Sequence, residues 1–151
     1  MKSKLLSMVA VVFPFLVCQA VYADDSRESV CPKHPQQRVS AQVLQAHVAA
    51  FEAGDAELLA CDYARDAVLI LPGSVAHGPA EIEAAFASFF ALAGGNIHVT
   101  TLSLTIADDV ALFEYSVTSD HVLVTDGVDS FVIDNGSIIA HTAHLGGLSG
   151  R

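Results

Sequence analysis

The chain has 151 residues and a mass of 15.8 kDa, which is the size of one ordinary domain and excludes a second independent core. Its formal net charge of −10 excludes nucleic acid as a partner and disfavours anionic substrates such as nucleotides, so neutral or cationic small molecules are the easier ligands. Neither glycine-rich stretch is followed by Lys-Ser or Lys-Thr, the residues that complete a phosphate-binding loop.

Residues 1–23 have the pattern of a secretory signal peptide. Lys2 and Lys4 precede an uncharged apolar run over residues 5–17, and the segment ends at Ala23, just before acidic Asp24. The apolar run is too short for a membrane-spanning helix, which takes about 20 residues. We therefore predict cleavage after Ala23, a secreted or periplasmic protein, and no membrane attachment of the mature chain.

Two of the three cysteines remain after this cleavage. Cys18 lies inside the predicted signal peptide, whereas Cys31 and Cys61 follow it at a separation of 30 residues. An oxidising compartment favours a disulfide between them, and two unpaired thiols are the alternative.

Three helices are predicted in the first half of the mature chain. Residues 24–39 contain two prolines and no apolar period, so they are predicted to form an extended lead-in. Apolar residues at steps of three and four predict a helix from Ser40 to Gly54, and Asp55 caps a second, short helix that reaches about Tyr63. Pro79 begins a third helix, which stops at a glycine pair, residues 94–95.

The second half changes from a helical period to an alternation of two. A short buried strand is predicted before Pro79, and four longer strands follow the third helix, over residues 68–71, 97–106, 110–118, 122–133 and 137–145. Residues 146–151 are predicted to be a flexible tail. Helices followed by a run of strands indicate an α+β fold, with three helices packed on a curved antiparallel sheet.

Four short phrases carry a resemblance to a known family. They are Ala-Ala-Phe-Glu-Ala-Gly-Asp at 49–55, Arg-Asp-Ala-Val at 65–68, Gly-Pro-Ala-Glu-Ile at 78–82, and Gly-Val-Asp-Ser-Phe-Val-Ile-Asp-Asn-Gly-Ser-Ile at 127–138. In this order and spacing, residues 40–145 resemble the nuclear transport factor 2-like superfamily, and within it the SnoaL-like and ketosteroid isomerase-like proteins. The resemblance implies a cone-shaped fold, an apolar pocket for one small ligand, no cofactor, and a homodimer packed through the sheet.

The register of the last hairpin decides which side chains share the pocket face. A two-residue turn at Asn135-Gly136 places Asp129 opposite Thr142 and mixes polar and apolar residues on both faces. A three-residue turn with a bulge at Gly136 places Asp129 opposite His141 instead. This second register sorts the faces better, because Phe131, Ile133, Ile139, Ala143 and Leu145 then surround Asp129 and His141, and we predict it.

Three side chains are predicted to carry out acid-base chemistry. By the resemblance, Asp129 occupies the position of a protonated aspartic acid that donates to a developing oxyanion, and His47 occupies that of the oxyanion-hole tyrosine. A carboxylate beside an imidazole, such as Asp129 with His141, can transfer protons near neutral pH, and dehydratases of this superfamily use such a pair. Leu71 stands where ketosteroid isomerases keep their general base, which argues against steroid isomerisation.

Further residues are predicted to contact the ligand. Glu114 is a candidate pocket acid and His77 a candidate gate at the mouth, while the apolar wall includes Leu71, Phe86, Phe131 and Leu145. Each polar residue also has a structural interpretation: a core histidine, an acid that braces the sheet, or a solvated side chain. No His-x-x-x-His or Cys-x-x-Cys pair is present, so no metal site is predicted.

The functional hypothesis is therefore an exported protein that binds a small neutral apolar molecule. Acid-base chemistry by Asp129, His141 and His47 makes a cofactor-free lyase or isomerase the leading activity. A non-catalytic ligand-binding or dimerisation module with the same pocket is the alternative.

Overall fold

The computed structural model describes residues 31–33 and 35–151. The predicted signal peptide and the first part of the lead-in lie outside the described residues. None of the helices in the described part of the chain has the length and apolarity that a bilayer crossing requires.

Three helices form where the apolar period and the caps predict them. They are α1 (Ser40–Ala53), α2 (Ala56–Ala60) and α3 (Gly78–Ala93). The Asp55 side chain caps α2 by accepting a hydrogen bond from the Leu58 amide at 2.9 Å. Helix α2 ends three residues before the predicted position, because Tyr63 already belongs to the first strand.

The strands form one sheet of seven. They are β1 (Tyr63–Leu71), β2 (Ser74–His77), β3 (His98–Ala107), β4 (Val110–Thr118), β5 (Val122–Asp134), β6 (Ser137–Gly146) and β7 (Ser149–Gly150). Their spatial order is β2-β1-β6-β5-β4-β3, and β7 pairs with β5. Strand β1 runs parallel to β6, and the other pairs are antiparallel. The predicted fold class is confirmed: three helices pack on a curved, largely antiparallel sheet.

Two strands were not expected from the sequence pattern. Strand β2 forms a hairpin with β1 through the Pro72-Gly73 turn, over residues for which no element was predicted. Strand β7 lies in the predicted flexible tail, where the Arg151 amide also donates to the carbonyl of His121 at 2.9 Å.

The predicted register of the β5–β6 hairpin is wrong. Asn135 and Gly136 both have positive φ, 48° and 71°, so they form the two-residue turn that matches the sheet twist. Ile139 is an extra residue in β6, because Ile133 pairs with Ile138 whereas Val132 pairs with Ala140. The Cα partner of Asp129 is consequently Ala143, and the partner of His141 is Phe131.

The bulge nevertheless keeps the pocket-facing residues together. It changes the register by one residue after the turn, so Asp129, His141 and Leu145 share the concave face of the sheet. Ile139, which the predicted register placed on this face, is 37% exposed on the other side. Ile138 is fully buried in its place.

The end of the lead-in is attached to the segment after α2 and to the β5–β6 turn. The predicted disulfide is present between Cys31 and Cys61, with Cα atoms 5.2 Å apart. Nearby, Arg38 forms a buried ion pair with Asp62 and donates a second hydrogen bond to the Gly136 carbonyl at 2.8 Å. A Cβ at Gly136 would lie 1.8 Å from the carbonyl oxygen of Pro35, so only glycine allows this close approach.

Candidate functional site

An apolar cavity of about 90 Å³ lies between the concave face of the sheet and helices α1 and α3. Leu69, Leu71, Phe113, Ala143 and Leu145 line it from the sheet, and Val48, Phe51, Ala85, Phe86 and Phe89 line it from the two helices. The volume is smaller than the roughly 150 Å³ of an engineered protein cavity that binds benzene. The cavity therefore suits a compact ligand of about one ring.

Four polar side chains from adjacent strands form a chain of contacts, and three of them, Tyr115, Asp129 and His141, line the cavity. The hydroxyl of Tyr63 lies 2.6 Å from Nδ1 of His141, and Nε2 of His141 lies 3.1 Å from Oδ2 of Asp129. The hydroxyl of Tyr115 donates to Oδ1 of Asp129 at 3.0 Å. We call these four residues, contributed by β1, β6, β5 and β4 in that spatial order, the polar row.

The contact between His141 and Asp129 is close but bent. Its distance is that of an ion pair, yet Nε2 has no well-aligned hydrogen-bond partner among the described residues. Such bent contacts are common in empty catalytic sites and align when a ligand binds.

Aromatic packing holds the His141 ring in place. Its ring stacks on Phe131 with centroids 4.2 Å apart and also on Phe86 at 6.4 Å, and the residue is only 1% exposed. Phe131 thus supports His141 from behind and is absent from the cavity lining, although it was predicted to contact the ligand.

A glycine on β5 lets Tyr115 reach Asp129. Gly127 pairs with Tyr115 across β4 and β5, and a Cβ at Gly127 would lie 2.5 Å from the Tyr115 ring. Without that side chain the ring lies across β5, and its hydroxyl arrives at the carboxylate. The same glycine begins one of the phrases that carried the family resemblance.

Burial fixes the protonation of both tyrosines. It raises the pKa of Tyr63 well above the ordinary value, and the negative charges of Asp129 and Asp62 raise it further. Burial likewise raises the pKa of Tyr115, and the charge and hydrogen bond of Asp129 add to this increase. Both hydroxyls therefore keep their protons near neutral pH.

His47 reaches the cavity from α1 as a neutral ring. Burial lowers its pKa well below the ordinary value, and the neighbouring His141, with ring centroids 5.6 Å apart, lowers it further. The residue is 5% exposed, and its Nδ1 has no hydrogen-bond partner among the described residues.

The structure brings most of the predicted residues together. Asp129, His141 and His47 all line the cavity, as do the apolar residues Leu71, Phe86 and Leu145.

Besides Phe131, two further predicted ligand contacts do not line the cavity. Glu114 is exposed on the outer face of the sheet together with Val110 and Leu112, because the buried residues of β4 are Ala111, Phe113, Tyr115 and Val117. His77 is exposed at the end of β2, where its amide donates to the Glu81 side chain at 2.8 Å, and it does not line the cavity.

Sequence reasoning missed Tyr63 and Tyr115. The alternation of residues in β4 could have identified Tyr115. One face of this strand holds the aromatic residues Phe113 and Tyr115, whereas the other face holds Glu114. Tyr63 had no such signal, since it was assigned to the end of a helix. In the described part of the chain, no group of three or more His, Cys, Asp or Glu side chains is placed to hold a metal ion.

These features define an α+β cone whose sheet and helices enclose the apolar cavity. Residues 44–141 match the SnoaL-like domain, and the chain belongs to this family. The predicted resemblance is confirmed. No curated protein matches the chain by sequence.

Solved structures with the same fold include an NTF-2 like protein of unknown function from Burkholderia xenovorans LB400, with a TM-score of 0.60 and 20% identity over 70% of this chain and 81% of that one. A protein with a ketosteroid isomerase-like fold from Catenulispora acidiphila, solved with trimethylamine, has a TM-score of 0.60 and 16% identity over 70% and 85%. SalBIII, an epoxide hydrolase/cyclase-like enzyme of pyran ring formation in salinomycin, has a TM-score of 0.60 and 14% identity over 74% and 95%. At these identities the similarity shows the fold alone.

Proposed function

We propose that this protein binds one small, neutral, largely apolar molecule and acts on it as a cofactor-independent lyase or isomerase. The observation that carries the proposal is the placement of Asp129, held between Tyr115 and His141, on the floor of an otherwise apolar cavity. A desolvated carboxylate with fixed neighbours is suited to proton transfer. The fold shared with SalBIII, an epoxide hydrolase/cyclase-like enzyme, favours an activity of this broad kind.

In this mechanism Asp129 is the proton-transfer residue. Its carboxylate takes a proton from the substrate. His141, whose Nε2 lies 3.1 Å from Oδ2, stabilises the charged form of this carboxylate. Asp129 then returns the proton, either to another carbon in an isomerisation or to a leaving hydroxyl in an elimination. Neutral His47, with its unpaired Nδ1, hydrogen-bonds the substrate oxygen on which charge develops.

A ligand-binding module without catalysis is the second candidate. The apolar character of the cavity favours this candidate. The polar side chains in its lining are limited to His47, Tyr115, Asp129 and His141. Among the residues that the structure describes, Asp129 is the one carboxylate in the cavity lining, so no second acid completes an acid-base pair with it there.

A thermal-shift screen of neutral single-ring and aliphatic compounds, followed by turnover assays on those that bind, separates the candidates. If the protein is an enzyme, Asp129→Asn and His141→Gln should each reduce turnover by about 10² to 10⁴-fold while ligand affinity changes by less than about tenfold. Glu114→Gln, which changes an acid on the outer face of the sheet, is the matched control and should retain full turnover. Binding without turnover would support the module, and stabilisation by polyanions alone would contradict both candidates.

We also propose that the protein is exported. The pairing of Cys31 with Cys61 supports this proposal, because disulfides persist in oxidising compartments. The intact mass of the protein recovered from its producing cells should correspond to a chain that starts at Asp24 and should be two hydrogens below that of the reduced form. A mass that retains Cys18, or two thiols that react with a thiol reagent before reduction, would contradict it.

We further propose a homodimer that packs through the outer face of the sheet. Ile70, Val110 and Leu112 are 46%, 52% and 44% exposed there, and association would remove their apolar surface from water. Sedimentation equilibrium should give a dimer for the natural chain and a folded monomer for Leu112→Glu. Leu92→Glu, at a position 57% exposed on α3, should remain dimeric. A monomeric natural chain would refute the proposal.

A further inference from the structure

We infer that Tyr63 places the proton of the His141 ring on Nε2, and that the carboxylate of Asp129 makes the cavity select small ligands that donate a hydrogen bond to it. Alcohols and phenols are such ligands, whereas ketones and ethers of the same size only accept. The inference rests on the proposed ligand-binding function, because it concerns the same cavity.

The first step is the contact between Tyr63 and His141. The hydroxyl and Nδ1 are 2.6 Å apart, and both groups are buried. Within the described residues His141 is the one hydrogen-bond partner of this hydroxyl. If Nδ1 carried the proton and donated it to Tyr63, the hydroxyl proton of Tyr63 would be left buried without an acceptor, which is unfavourable. Tyr63 therefore donates to Nδ1.

The second step concerns Nε2, on the opposite side of the His141 ring from Tyr63. Nε2 lies 3.1 Å from Oδ2 of Asp129. A bare nitrogen lone pair at this position would face a carboxylate oxygen and repel it, whereas an N–H would be attracted to it. Both sides of the ring thus favour the same tautomer, and Tyr63 acts as a positioning residue for His141.

The third step is the hydrogen-bonding capacity that remains on Asp129. Tyr115 donates to Oδ1, and Nε2 of His141 lies 3.1 Å from Oδ2 without a well-aligned hydrogen bond, so each oxygen keeps at least one further lone pair. The surrounding wall is apolar and offers no other donor except His47. A hydroxyl ligand can donate to Asp129 and also accept from His47, but a ketone or ether leaves the carboxylate lone pairs unsatisfied.

The tautomer can be read by long-range ¹H–¹⁵N correlation spectra of the ¹⁵N-histidine-labelled protein, without any ligand. The natural chain should show His141 neutral with the proton on Nε2 near pH 7.5, and Tyr63→Phe should give a mixture of tautomers. Tyr115→Phe, which leaves the Tyr63 contact intact, is the control and should keep the Nε2–H form. A proton on Nδ1, or a doubly protonated ring, in the natural chain would overturn the inference.

Ligand selection is tested by calorimetric titration with two matched pairs, phenol against anisole and cyclohexanol against cyclohexanone. The hydroxyl member should bind at least about tenfold more tightly in the natural chain, as expected for a hydrogen bond to a charged group. In Tyr63→Phe the ratio should be at least as large, because a His141 ring without a proton on Nε2 leaves Asp129 with one donor fewer. Equal or reversed affinities in the natural chain would overturn the inference and leave the binding function standing, whereas no binding of any of the four compounds would refute both. The results on the natural chain decide the matter even if Tyr63→Phe does not fold.

Discussion

Replacement of Arg38 by methionine should lower the free energy of unfolding by about 3 kcal/mol at pH 7. Methionine keeps most of the aliphatic volume but leaves the carboxylate of Asp62, which is 3% exposed, without its cationic partner. It also removes the hydrogen bond to the Gly136 carbonyl, which fastens the lead-in to the β5–β6 turn. Urea denaturation followed by far-ultraviolet circular dichroism measures the change.

The loss caused by Arg38→Met should be smaller at pH 5 than at pH 7. Burial raises the pKa of Asp62, while the hydrogen bond and charge of Arg38 lower it. Without Arg38 the pKa of Asp62 rises further, so the folded variant takes up a proton and loses its unpaired charge as the pH falls. Arg65→Met, at an exposed arginine of β1, is the control and should change stability little at either pH. An equal loss at both pH values would show that the charge of Asp62 is not the cause.

Through His47 the protein should lose stability between pH 7 and pH 5, by up to about 2 kcal/mol. Burial lowers the pKa of this residue well below 6.5, and His141 adds to the effect. Between the folded pKa and 6.5 the unfolded chain therefore binds more protons than the folded one. Stability should rise with pH throughout this window and become independent of His47 above it.

The variant His47→Gln should flatten this pH dependence, whatever its effect on stability at pH 7. The slope of the free energy of unfolding should fall by up to about 1.4 kcal/mol per pH unit between pH 5 and 6.5. His144→Gln, at an exposed position of β6, should leave the slope as it is in the natural chain. An unchanged slope in His47→Gln would mean that this ring is protonated in the folded protein.

The fold was predictable because local signals and the global arrangement agree. Gly54, Asp55 and Pro79 mark the ends of helices by their own chemistry, and the change from a helical to an alternating period locates the sheet. The parallel pairing of β1 with β6 was not predictable from these signals. It joins segments about 70 residues apart, and no local pattern encodes that contact.

The site was predictable only in part, for reasons that lie in single residues. The predicted register of the hairpin differs from the observed one by two residues. Because side chains alternate between the two faces of a strand with a period of two, this error still leaves Asp129 and His141 on one face. Glu114 was misplaced because Val110 and Leu112, both apolar, share its exposed face. Tyr63 was missed because an early strand start cannot be distinguished from the last turn of a short helix.

The polar row also depends on strands that are far apart in the sequence. Tyr63 and His141 are 78 residues apart in the sequence, and the strand that carries His141 is the last long one to be synthesised. A nascent or truncated chain that lacks β6 contains Asp129 and Tyr115 but neither the imidazole nor the parallel partner of β1. A chain without β6 therefore cannot form the polar row, which assembles only after β6 has been made.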